Sequence, residues 1–198
     1  MHSSKLTKTI PPLLVFISSY GCGRELPVLG EVPDFALLER SGRAVQLSDL
    51  HGAPWIANFV FTNCTGPCPR LSSRMADIQT QTRGIAGLQL VSFSVDPGND
   101  TPEVLSEYAM SFGADPARWM FLTGGRKELY ALVVKGFKLG LDFGDDAGPS
   151  EGIITHSTRF VLIDGAGKIR GYYHGTEQDM VDQVLLDLRA LGTSGDSA

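Results

Sequence analysis

The 198-residue chain has little cysteine, little positive charge and only a short apolar run near its start. Its 17 basic residues against 22 acidic ones give a formal net charge of −5, so a nucleic-acid role has no electrostatic support. The run at residues 10–17 falls far short of the ~20 residues that cross a bilayer, so no transmembrane helix is expected there. With 42% hydrophobic and 20% charged residues, the composition indicates one globular domain rather than a disordered chain.

The first 22 residues have the layout of an export signal. Lys5 and Lys8 form a basic start, an apolar run follows, and small residues lead to Cys22 in an arrangement similar to a bacterial lipoprotein cleavage box. We therefore predict residues 1–22 as a signal peptide with Cys22 as the lipidated residue, and residues 23–33 as a tether. The chain would then face the periplasm or the cell surface, an oxidising space in which thiols can form a disulfide.

Apolar periodicity predicts alternating strands and helices from residue 34 onward. The predicted strands are residues 44–48, 55–62, 88–95, 119–124, 157–164 and 168–175. The predicted helices are residues 69–83, 101–113, 126–138 and 177–191. This order predicts an α/β, thioredoxin-like fold over residues 34–192, with a mixed central sheet and helices on both faces. A Gly- and Asp-rich loop insertion at residues 140–152 precedes the His-bearing strand, and residues 193–198 are predicted to be a disordered tail.

Two of the three cysteines, Cys64 and Cys68, lie four positions apart in "FTNCTGPCPRLS", between a predicted strand and a predicted helix. Proline is tolerated in a first helical turn, so Pro69 predicts Cys68 at the N-cap or just outside the helix. The unpaired N–H groups and the dipole of the helix would then lower the pKa of the Cys68 thiol below ~8.5. A Gly-Pro turn allows both sulfurs to point at one spot and is a poor place for core packing, so we predict a functional pair.

A third ligand is sought among the four histidines. His2 lies in the signal, while His51 and His174 lie in a turn and at a strand end. His156 lies at the start of the predicted strand 157–164, and in a thioredoxin-like topology that position faces the cysteine loop. The predicted set of two sulfurs and one nitrogen favours copper, because thiolates select Cu(I) and imidazole also tolerates Cu(II). Structural zinc is usually closed by four ligands, and a three-ligand site suits handing a metal to a partner rather than storing it.

These residues resemble the Sco (SenC) family of copper proteins, which assist cytochrome c oxidase assembly. "NFVFTNCTGPCP" is similar to the family's F-x-F-T-x-C-x-x-x-C-P core, "SFSVDPGNDTPEVLSEY" to its V-S-V-D-P-x-x-D-T-P segment, and "THSTRFVLID" to its late D-H-S strand. The resemblance covers about residues 34–191. It implies a membrane-tethered protein that binds copper through Cys64, Cys68 and His156.

The resemblance also implies a partner. Copper would be delivered to the binuclear copper centre of cytochrome c oxidase subunit II, or that centre's cysteines would be reduced before metallation. Asp96 matches the first acid of the family's D-P segment, either as a residue beside the ligands or in docking, or as a cap at a strand end. The chain departs from the family at Thr65, Gly66 and Thr155, where members often carry Pro and acids. Because these positions lack the negative charge common in the family, the partner could instead be another exported copper or thiol protein.

Two functions stay open at this point. A metallochaperone would move copper by ligand exchange and turn nothing over, and we expect this function rather than an enzyme. A thiol–disulfide oxidoreductase would instead cycle Cys64 and Cys68 without an obligatory metal, with His156 adjusting their pKa values. A peroxidase-like function would rest on similarity of fold alone.

Overall fold

The computed structural model describes residues 24–139 and 158–193, and an eight-stranded sheet organises this part of the chain. The strands are β1 (Gly30–Glu31), β2 (Ala36–Glu39), β3 (Ala44–Gln46), β4 (Trp55–Val60), β5 (Gln89–Ser94), β6 (Trp119–Thr123), β7 (Arg159–Ile163) and β8 (Lys168–His174). The helices are α1 (Cys68–Gln81), α2 (Pro102–Ser111), α3 (Arg126–Ala131) and α4 (Met180–Thr193). None of the helices in the described ranges has the length and apolar character needed to cross a bilayer. The predicted signal peptide, the predicted insertion and most of the predicted tail lie outside the described residues.

The sheet is mixed, with strand order β1-β8-β7-β4-β5-β6-β2-β3. Its centre is parallel, because β5 pairs in parallel with both β4 and β6, while β7 pairs antiparallel with the other side of β4. The predicted mixed sheet of a thioredoxin-like fold is thus confirmed. Since the carboxyl ends of parallel strands meet at one edge, the loops after β4, β5 and β6 lie side by side there. We call this the carboxyl edge.

One face of the sheet buries a cluster of aromatic rings beneath α3 and the π-helical turn that follows it (Leu132–Gly136). The Phe59 ring stacks on Phe93 at 5.7 Å between centroids and meets the edge of Phe137 at 5.1 Å. Each of these side chains is fully buried, and such burial contributes ~1.5–3 kcal/mol per side chain. All six residues of β4 are buried, five of them apolar and the sixth Asn58, which makes the strand a rigid base for the loop that follows it.

The opposite face packs against α1, α2 and α4. Ile56 of β4, Leu71 of α1, Leu105 of α2 and Val184 of α4 are all fully buried in this second cluster. Helices therefore cover both faces, as predicted, and Leu71 packs the start of α1 against the sheet.

The predicted tether is wrong from Leu26 onward. Leu26 is 4% exposed within the second cluster, and the Arg170 guanidinium donates a hydrogen bond to its carbonyl oxygen. β1 then pairs antiparallel with β8, and Val32 is 2% exposed. The sequence did not reveal this because isolated apolar residues between Pro and Gly show no period, and a two-residue edge strand gives no pattern.

Smaller boundary differences have local causes. The predicted strand 44–48 stops at Gln46, because the Asp49 carboxylate accepts the Gln46 N–H at 2.8 Å and starts a 3-10 turn, Leu47–Leu50. β2 was not predicted, and it joins the sheet by pairing with β3 and β6. The last helix begins at Met180 rather than near residue 177.

Replacing Leu26 with Ala tests whether this segment belongs to the folded domain. We expect the free energy of unfolding in urea to fall by about 2 kcal/mol or more, the cost of a cavity at a buried leucine. Val28→Ala is the matched control, because Val28 is 61% exposed and its truncation should change stability by no more than ~0.5 kcal/mol. Equal and negligible effects of the two substitutions would show that residues 24–32 are a tether after all.

Candidate metal and thiol centre

The loop between β4 and α1 carries both thiols. The Cys64 N–H donates to the Phe61 carbonyl at 3.3 Å, which folds the loop into a turn directly after β4. Pro67 already has helical dihedral angles (φ −76°, ψ −21°), so α1 begins at Cys68 rather than after it. The prediction that Cys68 caps the helix or lies outside it is therefore wrong by one position. Pro69 falls in the first turn, where its missing N–H breaks no helical bond.

The two thiols contact each other. A hydrogen bond joins the Cys64 and Cys68 side chains, and the pair packs with Val60 and the partly buried Phe61. Cys64 is 9% exposed and Cys68 is 0% exposed, so only the Cys64 side of the pair reaches the surface. The turn therefore brings both sulfurs to one spot, in the dithiol form.

Burial, and after it the hydrogen bond with Cys64, raise the pKa of the Cys68 thiol to about 12, against a backbone hydrogen bond with Phe61 that lowers it. The prediction of a lowered pKa is therefore wrong for the metal-free dithiol, since loss of water outweighs the helix terminus. The protonated thiol stabilises the fold below its ordinary pKa of 9.0, and this contribution is lost as the pH rises through about 12.

A buried acid that the sequence reasoning did not single out lies near the thiols. Asp100 is 0% exposed and accepts hydrogen bonds from Thr62 and Ser94, at the ends of the neighbouring strands β4 and β5. Burial raises the pKa of Asp100, and these hydrogen bonds counteract it. Its charge also helps to raise the pKa of Cys68. The available signal was the second acid of "DPGNDTP", four residues after Asp96.

Tyr108 of α2 is a second polar neighbour of the thiol pair. Its hydroxyl and that of Ser72 on α1 form a 2.8 Å hydrogen bond. Burial is the largest cause that raises the pKa of Tyr108 to about 12, and the neighbouring Cys68, Cys64 and Asp100 contribute to the rise. The tyrosine therefore stays neutral and ties α2 to the first turns of the cysteine-bearing helix.

Asp96 lies in the turn after β5 and is 8% exposed. Its carboxylate accepts from the Asn99 side-chain amide at 2.8 Å, and its carbonyl accepts the Asn99 and Asp100 N–H groups at 3.1 and 2.9 Å. These bonds are those of a cap at a strand end, one of the two roles expected for it. Its charge helps to raise the pKa of Asp100.

His156 and Cys22 lie outside the described residues, so the third ligand and the lipid attachment stay predictions. Within residues 24–139 and 158–193, no three His, Cys, Asp or Glu side chains are placed to hold a metal ion together. Of the other histidines, His174 is exposed. It is the last residue of β8 and lies opposite Arg159, at the carboxyl edge of the sheet. The described part of the site thus contains two neighbouring sulfurs.

Two surface clefts differ in their relation to the thiols. A cleft of about 420 Å³ lies at the carboxyl edge and is lined by Pro97, Gly98, Gly124 and Arg126. A larger cleft of about 480 Å³ lies at the other end of the parallel strands, where His51 and Gln89 are among its lining residues. Of these two clefts, the smaller one shares its edge of the sheet with the cysteine loop.

A pair of contacting thiols at a strand–helix junction, on a mixed sheet with helices on both faces, defines a thioredoxin-like thiol protein. The family model described as SCO1/SenC matches residues 28–191. The chain belongs to the SCO1/SenC family.

Solved structures agree with this assignment. A SCO1/SenC family lipoprotein from Bacillus anthracis is 30% identical, with a TM-score of 0.77 over 85% of this chain and 98% of the other. BsSco, a member of the Sco family of cytochrome c oxidase assembly proteins in which a disulfide switch was identified, is 31% identical, with a TM-score of 0.73 and the same coverage. Bradyrhizobium japonicum ScoI, solved with copper bound, shares the fold at 21% identity and a TM-score of 0.68 over 82% of this chain and 99% of its own.

The burial of Cys68 predicts an order of thiol reactivity that a helix-terminus argument alone would reverse. In the reduced, metal-free protein at pH 8, we expect iodoacetamide to label Cys64 first and Cys68 at least about tenfold more slowly than a free thiol. Peptide mapping by mass spectrometry measures both rates, and labelling in guanidinium, where both thiols are exposed, is the control. Rapid labelling of Cys68 in the folded protein would instead show that the helix terminus dominates.

Proposed function

We propose that this chain is an exported, lipid-anchored copper-binding protein that delivers copper to the binuclear copper centre of cytochrome c oxidase subunit II. The observation that carries the proposal is the contact between the Cys64 and Cys68 side chains at the carboxyl edge. Two adjacent sulfurs form a soft donor pair, which selects Cu(I) over the harder divalent cations. Copper is here the cargo of the protein.

His156 is proposed as the third ligand because of where β7 begins. β7 pairs antiparallel with β4, with Ala57 opposite Val161, so Arg159 at the start of β7 lies level with the last residues of β4. Three residue steps join His156 to Arg159, a span of at most about 10 Å. That span allows the imidazole to reach the turn that carries the thiols.

The raised pKa of Cys68 sets a condition on loading. A thiol that is protonated at neutral pH must lose its proton when copper binds, so loading releases protons and becomes tighter as the pH rises. The cation then replaces the proton as the partner of a buried sulfur, which offsets the cost of burying a thiolate. The site therefore avoids an uncompensated thiolate both before and after loading.

Export and anchoring are proposed from the first 22 residues, with Cys22 as the lipid attachment point, and the lipoprotein relative from Bacillus anthracis supports them. The partner would approach the carboxyl edge, where Thr65 and Gly66 are exposed beside Cys64. Compared with the family pattern, these two residues and Thr155 leave less negative charge at the proposed docking surface. Asp96 is proposed as a docking residue at the same edge.

Copper titration of the reduced full chain under anaerobic conditions tests the ligand set, with Cys22→Ser in every variant so that only two thiols remain. We expect one Cu(I) per chain. His156→Ala should weaken the affinity by at least about 100-fold, because even loss of a residue that orients a ligand costs roughly 10–100-fold. A competing chelator of known affinity measures the change.

His174→Ala is the matched control, since His174 is an exposed histidine that ends the strand next to β7. It should bind copper as the unsubstituted protein does. Unchanged affinity in His156→Ala, or a comparable loss in His174→Ala, would refute the assignment of His156.

A second candidate function is reduction of the cysteines of the same target by Cys64 and Cys68. The observation that favours it is the direct contact between the two thiols, which a disulfide requires, and the disulfide switch of BsSco supports it. The two functions make different demands on His156, because an imidazole is a metal ligand but is not consumed in thiol exchange.

The His156→Ala variant also separates the two functions. We expect it to reduce an oxidised subunit II fragment at a rate within about threefold of the unsubstituted protein while failing to transfer copper. Thiol counting on the fragment and copper transfer to it are measured in parallel. Loss of both activities would make His156 part of the thiol chemistry, and absence of fragment reduction by any variant would remove the reductase function.

A further inference from the structure

The buried Asp100 carboxylate is a charged group near the thiols that neither copper binding nor thiol exchange by itself requires. It lies just before α2, at 0% exposure, in a domain whose other acids are mostly at the surface. A buried carboxylate is costly unless its oxygens are hydrogen-bonded, so the bonds it makes indicate what it is for.

Asp100 acts as an acceptor on both oxygens. Thr62 donates twice to Oδ1, from its hydroxyl at 2.6 Å and from its backbone N–H at 3.2 Å. The Ser94 hydroxyl lies 2.5 Å from Oδ2. Because the Ser94 oxygen already accepts the Asp96 N–H at 3.1 Å, its own proton is directed to Asp100. Three donors to one carboxylate are charge-assisted hydrogen bonds, the stronger kind.

These bonds join the thiol loop to a firmly held part of the fold. Thr62 lies two residues before Cys64, in the turn that the Cys64 N–H closes onto Phe61. Asp100 is itself fixed, since its N–H donates to the Asp96 carbonyl at 2.9 Å and the next residue, Thr101, caps α2. The carboxylate therefore connects the loop after β4 to the loop after β5.

We propose that Asp100 is a positioning residue whose carboxylate, acting through Thr62, holds the Cys64 sulfur against Cys68 and so sets how readily the pair closes to a disulfide. Closure is intramolecular, and its equilibrium constant follows the effective concentration of one thiol at the other. A loop released from Asp100 samples more positions, which lowers that concentration. The inference rests on the proposed function only in taking Cys64 and Cys68 as the working pair.

Equilibration with glutathione measures this quantity without copper and without a partner protein. The two protein thiols and one oxidised glutathione give the Cys64–Cys68 disulfide and two reduced glutathiones. Two electrons pass from the protein sulfurs to the glutathione disulfide, whose two sulfurs take up the two protons. The equilibrium constant follows from the fraction of disulfide in anaerobic buffers of known glutathione ratio.

The experiment uses the full chain with Cys22→Ser, so that only the working pair titrates. We expect Asp100→Ala to lower the equilibrium constant at least tenfold. Thr62→Val keeps the N–H bond and loses the hydroxyl bond, and should lower it about threefold. Asp100→Asn keeps an oxygen that can accept from Thr62, so its effect should be smaller than that of Asp100→Ala.

Asp187→Asn is the matched control. Asp187 of α4 is a buried acid, 7% exposed, that accepts a hydrogen bond from the Tyr173 hydroxyl at 2.8 Å and has no contact with the thiol loop among the described bonds. Its substitution should lower the melting temperature and leave the equilibrium constant within twofold.

A constant within twofold in Asp100→Ala, despite a lower melting temperature, would show that Asp100 only stabilises the fold and would overturn the inference. If Asp100→Ala does not fold, unchanged constants in both Thr62→Val and Asp100→Asn overturn it equally. A failed copper titration leaves the glutathione result unaffected. The two proposals therefore fail separately.

Discussion

The parallel pairing of β4 with β5 is the interaction on which the thiol site depends. Its register places Val60 beside Ser94, so both strands end at the same level and their following loops must lie together. The Val95 N–H then donates to the Val60 carbonyl at 2.9 Å, which carries the pairing one step beyond the strands. A parallel pair also needs a crossover, and α1 supplies it, so the first residue of that helix is delivered to the same edge. The meeting of Cys64, Cys68 and Asp100 follows from this one register.

Two opposing effects act on Cys68, and their magnitudes decide its chemistry. A helix N-terminus stabilises a negative charge by about 0.3–1 kcal/mol, or up to ~2 kcal/mol when partly buried, which is little more than one pKa unit. Burial can shift a pKa by up to 3–5 units. Cys68 is 0% exposed and has a second thiol and a buried carboxylate as neighbours, so its pKa rises. Position at a helix start is therefore insufficient to infer a reactive thiolate; the exposure of the sulfur has to be known as well.

The sequence predicted the central architecture because strong signals carried it. β4 is an apolar run interrupted only by Asn58, α1 has a regular helical period after the cysteines, and the Cys-Thr-Gly-Pro-Cys turn separates them. What it could not predict depends on long-range pairing. Leu26 is buried in a cluster with residues from α4 and β8, far along the chain, and no local pattern records that long-range packing.

The burial of Asp100 could not be predicted from the sequence for a related reason. An acid before a Thr-Pro helix start ordinarily suggests a solvated capping residue, and its burial appears only when Thr62, 38 positions earlier, is placed beside it. The start of α1 was misplaced by one residue because Pro67 can occupy a helical conformation before Pro69, which propensity alone does not distinguish.

The two candidate functions compete for the same atoms. A disulfide between Cys64 and Cys68 would use both sulfurs and leave no thiolate for copper, whereas copper bound as proposed would occupy both sulfurs and leave no thiol for exchange. An interaction that favours disulfide formation would therefore also limit copper loading to reducing conditions. The proposed hydrogen bonding between Thr62 and Asp100 is such an interaction. The same geometry favours both the disulfide and the copper-bound state, because each of them needs the two sulfurs close together. Local oxidant and copper supply would then decide which state a given molecule adopts, and His156 would contribute only to the copper-bound one.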